Sequence, residues 1–131
     1  MGFLDRFFDN SKPDENSFWN VISSETQIDE IILLSEDKPQ IILKHSNKCG
    51  TSFFAKKNLE TIDRKHLEGV DIYSVDVIKQ RELSILLGEK VEVRHQSPQL
   101  IVLFNSKVIW QGFHQHVNEE NVIKALNYAL G

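Results

Sequence analysis

A chain of 131 residues, 40 % hydrophobic and 26 % charged, is long enough for one domain that buries roughly two-thirds of its unfolded surface without a disulfide or metal staple. Its formal net charge of −4, with basic residues spread along the sequence, argues against a nucleic-acid partner, and no apolar run approaches the roughly 18 residues of a membrane span. One cysteine cannot form an internal disulfide; with no signal peptide expected, a reducing, cytoplasmic setting fits best.

The first eight residues carry Phe3, Leu4, Phe7 and Phe8, the i, i+1, i+4, i+5 spacing of one helical face. Basic residues are nearly absent there, which favours a short helix docked on the domain over a membrane-surface anchor. Arg6 stands where a myristoylation signal wants Ser or Thr. Residues 11–17 read as a linker. Residues 1–24 are therefore expected to be an appendage and linker, and 25–131 the domain. Phe18, Trp19, Val21 and Ile22 are expected to pack just ahead of the first full helix.

That helix should span about 26–35, with Ser24 and Gln27 as a capping box and Ile28, Ile31 and Ile32 as its buried stripe. Lys38-Pro39 stops it. Residues 40–44 form a nearly continuous apolar run, as in a strand covered on both faces. A helix follows Cys49 to about 62, with core contacts expected from Phe53, Phe54, Leu59 and Ile62. The second strand covers 70–75. A third helix spans about 78–87, with Leu83, Leu86 and Leu87 inward and Gly88 as its stop. Strands at 99–104 and 108–113 flank the tight turn Asn105-Ser106-Lys107 and so pair antiparallel. The last helix starts near Asn118 as its cap, with Glu119 and Glu120 complementing the dipole. Val122, Ile123, Leu126 and Leu130 should form its buried face. Helical crossovers in the first half make those strands parallel. The expected architecture is α/β: a small mixed four-stranded sheet with helices on both faces.

Cys49 carries the chemistry. It follows an apolar strand and the turn Ser46-Asn47-Lys48, and a helix begins at once. Unpaired backbone N–H groups and the positive end of the helix dipole stabilise a thiolate at such a position, and the thiolate is the nucleophile. Lys48 acts in the same sense if its ammonium folds back. The contrary reading is an inert buried cysteine. His114 and His116, two apart on an expected strand, would share a face, but no carboxylate or cysteine nearby completes a metal site. Trp110 is expected in the core, and Asp76 and Glu82 as helix-start and surface charges.

The element order, with a thiol after the first core strand and Ser97-Pro98 before the third, resembles the thioredoxin fold. Within it the chain resembles the monothiol bacilliredoxin family, the YtxJ-like proteins of the bacillithiol system, from about residue 26 onward. The resemblance rests on Lys44-His45-Ser46 before the cysteine, Arg81-Glu82-Leu83-Ser84, Val93-Arg94-His95-Gln96-Ser97-Pro98-Gln99 and Lys107-Val108-Ile109-Trp110. The family's Cys-Pro-Ile-Ser is replaced here by Cys49-Gly50-Thr51-Ser52.

The resemblance implies a monothiol oxidoreductase whose catalytic Cys49 removes a low-molecular-weight thiol, bacillithiol or similar, from S-thiolated cytosolic proteins. That small thiol would be a co-substrate, with no metal or organic cofactor. Lys48, Gly50, Thr51 and Ser52 would shape the thiolate site, Ser52 standing where dithiol enzymes place a resolving cysteine. In thioredoxin-like proteins the proline is cis beside the cysteine, so Ser97 and Pro98 would guide the substrate backbone. His45 and His95 flank these elements and would tune the thiol or meet ligand carboxylates. Two other functions fit the same fold. One is an iron–sulfur carrier like the monothiol glutaredoxins, whose Cys-Gly-Phe-Ser resembles Cys49-Gly50-Thr51-Ser52, although their Thr-Val-Pro and Gly-Gly elements are missing. The other is a non-enzymatic binding module. Oligomeric state is not legible.

Overall fold

The computed structural model describes residues 18–48 and 50–131. The helix expected at 1–8, the linker at 11–17 and Cys49 itself lie outside the described residues. In chain order the elements are β1 (Asn20–Val21), α1 (Glu25–Leu34), β2 (Gln40–His45), α2 (Gly50–Glu60), β3 (Asp71–Asp76), α3 (Arg81–Val91), β4 (Gln99–Phe104), β5 (Lys107–Phe113) and α4 (Glu119–Leu130). Single 3-10 turns occupy Arg64–Leu67 and His114–His116.

The strands lie in the order β1-β3-β2-β4-β5. β3 runs parallel to both β1 and β2, while β4 is antiparallel to β2 and to β5. Among the described residues the sheet therefore has five strands rather than the expected four. The additional one, β1, is two residues long, too short for any alternation to appear in the sequence. It is held by Ile22 N–H donating to the Ser74 carbonyl at 2.9 Å and by the Asn20 amide donating to the Ile72 carbonyl at 3.1 Å. The sheet thus takes in residues ahead of position 25.

Two apolar layers sandwich the sheet. On one face Ile41, Leu43, Leu100 and Val102 pack with Ala55 and Leu59 of α2 and Val122 and Leu126 of α4. On the other, Ile42, Ile101 and Leu103 pack with Ile28 and Ile31 of α1 and Leu87 of α3. Every residue of β2 is buried, as a strand covered on both sides requires. Complete burial of each of its apolar side chains, Ile41, Ile42 and Leu43, contributes roughly 1.5–3 kcal/mol.

Local chemistry sets the ends of the helices. The Ser24 hydroxyl accepts the Gln27 N–H at 3.1 Å, and the Gln27 side chain reaches back to accept the Ser23 N–H at 2.8 Å. This is a capping box displaced by one residue on its return leg. Asn118 caps α4 by accepting the Asn121 N–H at 2.9 Å. The buried face of α4 is Val122, Ala125 and Leu126; Leu130, in its last turn, is 56 % exposed, past the edge of the layer the helix covers.

α3 departs from expectation at both ends. The Asp76 carboxylate accepts the Ile78 and Lys79 N–H groups at 2.9 Å each, making a turn that delays the helix to Arg81. The helix then runs through Gly88 to Val91, and Glu92 takes the left-handed position with φ 61°. Gly88 is there for close approach rather than for termination. The Val93 N–H donates to the Gly88 carbonyl at 3.0 Å, and a Cβ at 88 would sit 3.1 Å from the Val93 oxygen.

In α2 the inward stripe is Ser52, Ala55 and Leu59, continued by Ile62, the i, i+3, i+7 spacing of one face. Phe53 and Phe54 fall outside it and are 56 % and 66 % exposed, correcting their expected core role. Phe18 and Trp19 do pack on the core, and Ile22 is fully buried, whereas Val21 faces solvent. The β4–β5 loop is the two-residue turn Asn105-Ser106, with φ 61° and 65°, positive at both positions as in the type I′ hairpin turn.

Candidate thiol site

The site collects at the carboxyl end of β2. In the β2–β4 pairing Lys44 lies opposite Gln99. His45-Ser46 and Ser97-Pro98 therefore extend past one another at the same end of the sheet, although they are about fifty positions apart in sequence. The Ser97–Pro98 peptide bond is cis. Pro98 is buried and Ser97 half-buried, and the Pro98 carbonyl accepts the His114 N–H at 3.4 Å.

The turn from β2 into α2 is held by serines. The Ser46 N–H donates to the Ser52 hydroxyl at 3.0 Å, and the Lys48 N–H donates to the Ser46 hydroxyl at 3.1 Å. Ser52 is buried and ties the first turn of α2 to the end of β2; position 52 thus has a structural use in this chain. Lys48, Gly50 and Thr51 are exposed. Gly50 opens α2, and a Cβ there would meet nothing within 4 Å. The first turn of α2 carries no acidic residue, so no side chain there offsets the positive end of its dipole. Cys49 lies in the chain between Lys48 and Gly50, outside the described residues.

The two histidines differ in exposure. His45 ends β2 and is buried; its Nδ1 has no hydrogen-bond partner among the described residues. Burial and then the Lys56 charge lower its pKa, against a smaller opposing effect from Asp76. His95 is exposed on the loop after α3. Its pKa is also lowered, first by desolvation and then by Lys44 and Arg81. His114 and His116 lie in the 3-10 turn beyond β5 rather than on a strand face, and both are exposed. No group of three or more His, Cys, Asp or Glu side chains suited to a metal ion occurs among the described residues.

Gln99 is the site residue that sequence reasoning missed. Its amide donates to the Arg94 carbonyl at 3.0 Å and to the Gln111 side chain at 3.1 Å, and its oxygen accepts the Gln96 N–H at 3.3 Å. One buried side chain thereby fixes the loop that carries His95, Ser97 and Pro98. The signal was a polar residue opening an otherwise apolar strand. Lys44 is equally notable. It is wholly buried, and its ammonium has no hydrogen-bond partner among the described residues.

This architecture, a mixed sheet with a cis-proline facing the strand-to-helix turn, is that of thioredoxin-fold proteins. Solved structures agree. A protein provisionally described as an oxidoreductase with a thioredoxin fold superposes with a TM-score of 0.67 at 29 % identity, over 80 % of this chain and 90 % of its own. Thioredoxin from Fasciola hepatica gives 0.65 at 16 % identity, over 83 % and 97 %, and thioredoxin from Malassezia sympodialis 0.64 at 22 %, over 85 % and 90 %. The family model for the monothiol bacilliredoxin BrxC matches residues 20–122. The chain belongs to the monothiol bacilliredoxin family. Fold and family together support a thiol redox role. No helix among the described residues is long and apolar enough to cross a membrane.

Proposed function

We propose that this protein is a cytoplasmic thiol–disulfide oxidoreductase that removes a low-molecular-weight thiol, bacillithiol or a relative, from protein mixed disulfides. The observation that carries the reading is the position of the chain's single cysteine. It immediately precedes the first residue of α2, whose opening turn lacks carboxylates, in a chain of the monothiol bacilliredoxin family. A thiolate at a helix start is stabilised by unpaired backbone N–H groups and the dipole.

The Cys49 thiolate attacks the small-thiol sulfur of the mixed disulfide. A bond forms between those two sulfurs, the original disulfide breaks, and the substrate cysteine leaves as thiolate with the electron pair. Cys49 now carries the small thiol. Position 52 holds a serine already engaged by the Ser46 N–H, so no resolving thiol follows in the helix. A second small thiolate attacks the adduct, forms the small-molecule disulfide and restores the Cys49 thiolate. Ser97 and Pro98 guide the substrate backbone past the cysteine, and Gln99 keeps their loop in place. Each turnover consumes one free small thiol as co-substrate, the other half of the released disulfide coming from the substrate, and calls on no metal or organic cofactor; its protein partners are S-thiolated cytosolic proteins.

The test is the rate of Cys49 alkylation across pH, with Cys49→Ser as blank. The reading expects a thiol pKa well below the unperturbed ~8.5. A pKa at or above that value, with no reaction toward disulfides, would leave a binding module with an incidental cysteine.

A further inference from the structure

A pocket of about 260 Å³ opens beside the β2–α2 turn, lined by Ser46, Asn47, Ser52, Phe53, Lys56 and Lys57, with Glu60 at its rim. Three of these residues, Ser46, Asn47 and Ser52, lie within three positions of Cys49 in the chain. The hydroxyls of Ser46 and Ser52 are committed to the turn, so the cavity's charged donors are the two lysines. Both ammonium groups are steered by aromatic rings, Lys56 standing 5.9 Å from the Trp19 ring centre and Lys57 5.7 Å from that of Phe53. The single carboxylate does little to neutralise them. Glu60 accepts the Trp19 indole N–H at 2.7 Å and approaches Lys57 only to 4.0 Å. The pocket is thus a small, net-cationic cleft lined by residues that flank Cys49 in the chain. It lies just below the roughly 300–1,000 Å³ typical of small-molecule sites, the size of one arm of a small thiol.

Resting on the thiol-exchange reading above, we propose that this cleft is the subsite for the anionic arm of the low-molecular-weight thiol, and that Lys56 and Lys57 select co-substrates carrying carboxylates. The buried imidazole of His45, the residue before Ser46, already senses the Lys56 charge. The Phe53 ring, more than half exposed, supplies an apolar wall against which the ligand's carbon skeleton rests. The lysines bind and orient; the sulfur exchange belongs to Cys49.

The test compares the rates at which Cys49 is thiolated by two small disulfides of similar reactivity. One is dithiobis(nitrobenzoate), a dianion with two carboxylates, and the other is the neutral dithiodipyridine. In each case one aryl thiolate is released and the other half stays on Cys49. The ratio of anionic to neutral rates is measured for the native chain, for Lys56→Gln/Lys57→Gln, and for Lys107→Gln/Lys124→Gln as a net-charge control. At low ionic strength the pocket variant should lose about 5- to 10-fold in that ratio and the control less than twofold. The loss should shrink at high salt as screening tightens. An unchanged ratio in the pocket variant, or an equal fall in the control, overturns the subsite while Cys49 chemistry stands. A Cys49 that reacts with neither probe overturns the thiol-exchange reading, and the subsite with it. Far-UV circular dichroism reports that each variant is folded.

Discussion

Lys44 makes the sharpest energetic prediction. Its ammonium is wholly buried with no hydrogen-bond partner among the described residues, and burial pushes its pKa from 10.5 down to about 8. Burial alone accounts for the shift, and no opposing charge among the described residues offsets it. Lys44 instead adds to Arg81 in lowering the His95 pKa, and its ammonium lies 3.9 Å from where a Cβ on Gly88 of α3 would stand. Each pH unit of displacement is worth about 1.4 kcal/mol, so a charged Lys44 at pH 7 costs the fold about 3 kcal/mol relative to its neutral form. Lys44→Met keeps the chain length and removes the charge. It should raise unfolding stability at pH 7 by about 2 kcal/mol, as replacement of an uncompensated buried charge by an apolar side chain does.

The sign with pH follows from linkage. Below about pH 8 the lysine is protonated in both states and the penalty is constant. Between about 8 and 10.5 the unfolded chain binds more protons than the folded one, so wild-type stability rises with pH and the advantage of methionine shrinks. Tyr73, pushed up to about 12 by burial and the charges of Asp71 and Glu30, is common to both proteins and cancels in the difference. Urea unfolding of both proteins at pH 7 and pH 10 decides the matter. A methionine variant less stable than wild type at pH 7, or an advantage identical at the two values, would refute the reasoning.

Three further substitutions probe the frame of the site. Gln99→Leu leaves the Arg94 carbonyl and Gln96 N–H without their partner. It should cost about 1–3 kcal/mol in denaturant melts and lower thiol-exchange rates more than it changes the Cys49 pKa, because it loosens the Ser97-Pro98 loop. Gly112→Ala places a Cβ 2.5 Å from the Trp110 ring, so thermal unfolding should show a loss of about 1–3 kcal/mol from overpacking. Gly50→Pro restores the family's residue at the first position of α2, where the missing N–H has no helical partner and open space surrounds the Cβ. A gain of about 0.4–1 kcal/mol is expected from the stiffer unfolded chain, read in the same melts.

Much of this molecule was legible before its coordinates. The continuous apolar run at 40–44, the Asn118 cap and the hairpin turn at Asn105-Ser106 are local signals, and the structure follows them, with Lys107 in the strand rather than in the turn. The errors share a cause: they concern where an element stops or which way a side chain turns, and those are set by tertiary neighbours. Gly88 reads as a helix stop, yet the close return of Val93 puts it inside α3. Phe53 and Phe54 read as core because they are apolar, but the helix phase fixed by Ser52, Ala55 and Leu59 turns them outward. β1 is invisible because a two-residue edge strand has no period. At the site, the meeting of the β2–α2 turn with Ser97-Pro98 was expected from family resemblance, while the role of Gln99 was not. A glutamine that clamps a loop looks in sequence like any polar residue at a strand end.

The central claim is that Cys49 takes a small thiol from a protein mixed disulfide. The most direct measurement offers the reduced protein a substrate carrying a bacillithiol mixed disulfide and follows both chains by intact mass spectrometry. The account predicts that the small-thiol mass leaves the substrate and appears on Cys49, that Cys49→Ser abolishes the transfer, and that added free thiol clears the adduct. A substrate that stays thiolated beside an unmodified Cys49 would contradict it.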